Sequence, residues 1–180
     1  MINPCSIITF WFEELTFNQW FTKDLSVDKI IKDRFEDLNI KASKNELFNW
    51  RNDAFGCLAE IIVLDQFSRN LYRESPKAWQ NDSLALSLAQ EAIRRKLDME
   101  LSKIQRSFLY MPFMHSESLV IHNEAVKLFS LDGLENNLEF EIKHKEIIEK
   151  FGRYPHRNKI LGRKSTLDEI DFLKQPNSSF

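Results

Sequence analysis

Glycine and proline are scarce in this chain, 4 and 5 of 180 residues, and the stretches between them run long without a break. A fold of many short strands needs frequent tight turns, so this scarcity argues against sheet architectures and for an all-α protein. Cysteine is scarcer still. Cys5 and Cys57 stand far apart with neither metal-ligand nor redox spacing, and both are expected to be buried, reduced thiols. Neither charge is in surplus: the net charge is −2 and the pI near 6.1, which gives no general pull toward nucleic acid or an acidic membrane. No apolar run approaches the length of a membrane span, and Met1 to Ser6 holds no basic leader, so a cytoplasmic chain without membrane contact is expected. There is no glycine-rich phosphate loop, no nucleophile motif around a serine or cysteine, and no H-E-x-x-H spacing. Nucleotide hydrolysis, acyl transfer and a metal centre therefore have no specific support, and no cofactor is called for.

What the chain does have is aromatic and periodic. Its 15 Phe and 4 Trp fall mostly at helical spacing, as expected of side chains packed between helices. Cap signals recur at Asn3-Pro4, Ser26, Asn52 or Asp53, Ser75-Pro76, Ser102 and Thr166, and predict about seven to nine helices without strands. The length suits one domain over residues 1–174, followed by a tail over 175–180 that is expected to fray.

Two stretches break the apolar regularity. On a helix predicted from residue 52 or 53 to about Leu71, Asp65 and Arg69 fall on the same face as Leu58, Ile61 and Ile62. Asp65 precedes Arg69 by four positions, the favoured order for an ion pair, and Gln66, Asn70 and Arg73 widen the polar stripe. The second stretch, Phe151 to Arg163, holds two of the four glycines and Arg153, His156, Arg157, Asn158 and Arg163, donors far in excess of acceptors. His115, Glu117 and His144 are further polar residues set among apolar helix positions, and His122 reads as a satisfied core histidine.

The segments Leu64-Asp65-Gln66-Phe67-Ser68-Arg69-Asn70, His115-Ser116-Glu117 and Phe151-Gly152-Arg153-Tyr154-Pro155-His156-Arg157-Asn158 together resemble a bacterial family, a domain of unknown function with a tetratricopeptide-repeat-like helical fold. The resemblance implies antiparallel helices in a curved array or compact bundle, although the sequence shows no 34-residue internal repeat.

Three accounts of function follow. In the first, Asp65, Arg69, Asn70, Arg73, His115, Glu117, His144, Arg153, His156, Arg157, Asn158 and Arg163 form one pocket for an anionic small molecule or peptide. Five guanidinium groups set against Asp65 and Glu117 would leave it electropositive. In the second, a hydrolase-type enzyme uses His115 or His156 as general base. In the third, the cluster is a structural network and the protein is a scaffold for a protein partner. Nucleic acid comes last, since the basic stretch is short and offers only Tyr154 for stacking.

Overall fold

The computed structural model describes residues 2–176 and residue 178, and these contain helices and turns with no strand. Of the tail expected to fray, residues 177, 179 and 180 lie outside the described residues. The α-helices are α1 (Pro4–Thr9), α2 (Phe17–Phe21), α3 (Leu25–Ser43), α4 (Ala54–Ile62), α5 (Ser68–Leu71), α6 (Asp82–Arg94), α7 (Lys103–Met114), α8 (Leu119–Phe129), α9 (Glu135–Phe151) and α10 (Leu167–Phe172). Most caps fall where the sequence puts them. Asn3, Ser102 and Thr166 each accept from the backbone of the third helical residue, while α3 is capped by Asp24 rather than Ser26. Ser75-Pro76 opens only a single 3₁₀ turn, Pro76–Ala78, and α6 begins after it at Asp82.

The chain is built around α4 and α5, which a π-helical segment, Val63–Phe67, joins into one rod. Every residue from Gly56 to Ser68 is buried, so over that length the rod has no solvent face. Asp53 starts it by accepting from the Gly56 amide at 2.8 Å. Gly56 is obligatory: a Cβ there would lie 1.7 Å from the Trp50 carbonyl oxygen, where the 3₁₀ turn Phe48–Asn52 crosses the helix. The wider π turn loosens the backbone ladder, and Asn39 of α3 donates to the Val63 carbonyl at 2.7 Å and to Ser68 Oγ at 3.0 Å.

Helices α1, α3, α6 and α7 pack around this rod. Phe10, Trp11, Phe35, Phe67 and Phe108 interlock at ring separations of 5.0 to 5.9 Å, mostly tilted or edge-on. Helix α6 meets the rod through Ala85, Ala89 and Ala92, all buried, whereas Leu84 and Leu88 sit half-buried at its flanks. The small side chains let the backbones approach. From α6 each helix packs on the next through α7, α8 and α9. Helix α7 continues through Pro112, and α9 ends at Gly152, which takes the left-handed φ of 67°. Cys57 is buried as expected, but Cys5 is exposed on the first turn of α1, where Pro4 and the cap leave it facing outward. Among the described residues no helix is long and apolar enough to cross a membrane.

Candidate functional site

Three parts of the chain converge on the C-terminal end of the central rod: α5, the turn that follows α7, and the segment after α9. Their meeting point is Asp65, which sits inside the π segment with its side chain 1 % exposed. Arg69 pairs with it at 2.9 Å, Gln66 donates at 2.5 Å, and His115 Nδ1 lies 2.7 Å from Oδ1. Burial alone would raise the Asp65 carboxyl, but Arg69 and His115 outweigh it and hold the group well below the usual carboxylate range. Asp65 is therefore ionised and accepts the Nδ1 proton of His115. That fixes the ring in one tautomer, with Nε2 left as an acceptor that has no partner among the described residues. The ring is 17 % exposed, and burial together with Arg69 keeps it below its ordinary pKa, so it is neutral near pH 7.

His115 opens onto a cleft of about 430 Å³. Its lining combines apolar Pro76, Trp79, Leu86, Pro112 and Leu161 with polar or charged Gln80, Asp82, Ser83, His115, Ser116, Glu117 and Arg157. Asp82, at the start of α6, is held two-handed by Arg69 at 3.0 and 3.1 Å. Arg157 reaches the same carboxylate at 3.3 Å and donates to the His115 carbonyl at 3.1 Å. Its guanidinium carbon stands 4.6 Å from the Tyr154 ring and 5.4 Å from the Trp79 ring, and its buried Nε meets no acceptor. Burial pulls the Arg157 pKa down, the mark of a cation whose desolvation is incompletely offset.

Beneath the cleft lies Tyr154, fully buried. Its hydroxyl donates to the Met114 carbonyl at 2.5 Å, its amide to Glu117 at 2.7 Å, and its ring packs against His144 and His156. His144 donates Nδ1–H to the Phe140 carbonyl and is pushed down to about 3 by burial; His156 is pushed down to about 4 for the same reason. His122 is also fully buried, with Glu141 at 2.7 Å on Nδ1 and the Ser116 carbonyl at 2.8 Å on Nε2. Each ring nitrogen thus has an acceptor within hydrogen-bond distance, and the Tyr154 hydroxyl lies 3.2 Å from Nε2.

The predicted residues thus divide. His115, Glu117 and Arg157 line the cleft, with Asp65, Arg69 and Arg163 immediately behind them. His144, His156 and Asn158 are packed in the layer around Tyr154 and the following turn, where Asn158 donates to Ser165. Asn70 and Arg73 face α3 instead, sharing Asp28, and Arg153 turns to Glu169 at 2.6 Å. The expected surplus of positive charge is corrected by these partners. Arg69 has Asp65 and Asp82, Arg73 has Asp28, Arg153 has Glu169, and Arg163 holds Glu117 two-handed. Asp28, Asp82, Glu169 and Trp79 are not among the residues the sequence singles out for a site, and Tyr154 is singled out only as a stacking aromatic of the basic stretch. No local signal marks the long-range partners, because each lies on a different element from the arginine it meets. Among the described residues no group of three or more His, Cys, Asp or Glu is placed to hold a metal ion.

A family model described as a bacterial protein of unknown function (DUF924) matches residues 7–177. No curated protein matches the chain. Among solved structures, that of a protein of unknown function from Agrobacterium tumefaciens, ATU0120, is 38 % identical, with a TM-score of 0.90 over 95 % of this chain and 96 % of that one.

Proposed function

Because this chain belongs to that bacterial family of unknown function, we propose from its own geometry that the cleft binds a small molecule with an anionic group, met by Arg157 beside His115. The observation that carries this reading is the state of Arg157. The other arginines of the cluster hold carboxylates at 2.5 to 3.1 Å, whereas Arg157 shares at 3.3 Å a carboxylate that Arg69 already occupies. A ligand oxyanion at its Nη hydrogens would give Arg157 a counter-charge of its own, and a guanidinium edge matches oxyanion geometry. The pairwise packing of α6 through α9 supports a tetratricopeptide-like scaffold, and the unbridged Cys5 and Cys57 support a cytoplasmic setting.

The test is a thermal-shift titration with small carboxylates and inorganic phosphate on the parent and on Arg157→Ala. A ligand at 100 times its Kd stabilises by about 2.7 kcal/mol, which for a chain of this length raises the melting temperature by roughly 5–10 °C. The reading expects that rise in the parent and its loss in Arg157→Ala, whose own melting temperature stays close to the parent value. A large drop in the melting temperature of Arg157→Ala, with no anion stabilising the parent, would establish a purely structural lock.

A second reading, a hydrolytic enzyme with His115 as general base, is favoured by one observation: buried, ionised Asp65 fixes the tautomer that leaves Nε2 bare toward the cleft. His156 suits that role less, since its ring lies against Tyr154. Turnover of any ligand found in the titration, abolished in His115→Gln with binding retained, distinguishes enzyme from binding module.

A further inference from the structure

The cleft lining mixes apolar and charged side chains, and that combination restricts what can occupy it. The Trp79 ring lies against the Arg157 guanidinium and joins Pro76, Leu86, Pro112 and Leu161 in the apolar part of the lining. Tyr154 lies against Arg157 as well, and Nε is buried, so a ligand oxyanion would have to meet the guanidinium edge through the remaining hydrogens of Nη1 and Nη2, which already donate to Asp82 and the His115 carbonyl. An edge is matched by a planar, two-oxygen group. The charge around it sets a limit. Asp82 and Glu117 line the same cleft, and Arg69 and Arg163 are committed to them in two-handed pairs. A dianion would face two carboxylates with one lining cation, Arg157, that holds no carboxylate of its own, whereas a monoanion matches that cation. The volume, about 430 Å³, exceeds what a carboxylate alone would fill and falls within the usual range of small-molecule sites.

Resting on the reading that Arg157 meets an anion, we infer that the occupant is a small monocarboxylic acid with an apolar body, its carboxylate on the Arg157 edge and its hydrocarbon against Trp79, Leu86 and Leu161. A phosphate monoester is disfavoured by its second charge, and an apolar molecule without the carboxylate would leave Arg157 as it is. Each methylene brought against the apolar lining gains the transfer energy of a buried CH₂, about a fourfold gain in affinity.

Isothermal titration of the full chain with acetate, butanoate, hexanoate and octanoate, alongside hexanamide and inorganic phosphate, tests this. Affinity is expected to rise about fourfold per methylene, hexanamide to bind at least about tenfold more weakly than hexanoate, and phosphate to bind more weakly than hexanoate. In Leu86→Asn the series should flatten while acetate binding persists. Acetate binding as tightly as hexanoate, phosphate binding more tightly than hexanoate, or a slope unchanged in Leu86→Asn would each overturn the inference and leave the anion reading standing. Hexanamide equal to hexanoate, or no carboxylate binding at all, would overturn both.

Discussion

Asp65 is the residue on which most of the site depends, since its carboxylate fixes Arg69, Gln66 and His115 at once. Asp65→Ala removes one of the two carboxylates of Arg69, leaves Arg69 and Arg157 sharing Asp82, and strips His115 Nδ1 and Gln66 of their acceptor, and should destabilise the chain by about 3–5 kcal/mol in urea unfolding. A loss under about 1 kcal/mol would show that the pair behaves like an exposed one. The buried histidines give a second expectation. His144 and His156 lie at about 3 and about 4 against an ordinary 6.5, so below pH 6.5 the unfolded chain takes up protons that the folded chain refuses. Stability is therefore full above about pH 6.5 and falls as the pH drops toward 4. Both rings lie against Tyr154; beyond burial, the other histidines disfavour charge on His144, and Arg157, Arg163 and Arg69 disfavour it on His156 against the opposing pull of Glu117. Glu141, raised by burial, works in the opposite direction, so the informative comparison is with His144→Phe. That variant should show a shallower fall of the urea midpoint between pH 7 and 4, and an unchanged slope would contradict the assignment.

At the scale of elements, the central rod was legible as a helix from its apolar spacing and its Asp53 cap, but its reason for burying Asp65 was not. A face calculated at 100° per residue assumes a regular α-helix, whereas Val63–Phe67 is π-helical and the rod there is buried on every side. The i,i+4 pairing of Asp65 with Arg69 was readable because it is local. The α6 contact was not, because Ala85 and Ala89 are helix formers that carry no hydrophobic signal, and only a close backbone neighbour explains their burial. Gly56 shows the same limit: nothing in the sequence marks the crossing of the Trp50 turn. Gly56→Ala would place its Cβ 1.7 Å from a backbone oxygen, and should cost about 3 kcal/mol or more by chemical denaturation, at the upper end of overpacking effects. Gly152→Ala meets no neighbour and bears only the strain of its positive φ, about 1–2 kcal/mol. A Gly56→Ala loss no larger than that of Gly152→Ala would contradict the close crossing.

At the scale of the whole molecule, the helical class and the convergence of three separated motifs could be read from the chain, since buried polar groups need partners and the partners were few. The charge balance could not. It depends on Asp28, Asp82 and Glu169, which the fold brings from α3, α6 and α10 to arginines on other elements. What emerges is a cleft in which a buried network, itself nearly balanced, presents the bare imidazole nitrogen of His115 and the Arg157 guanidinium, which shares its one carboxylate with Arg69. The most direct measurement of that arrangement is the protonation of the His115 ring by ¹⁵N NMR of the histidine-labelled chain at pH 7, assigned with His115→Gln. The account requires a neutral ring protonated at Nδ1, with Nε2 bare and shifting when a small carboxylate is added. A ring protonated at Nε2, or an imidazolium at that pH, would contradict it.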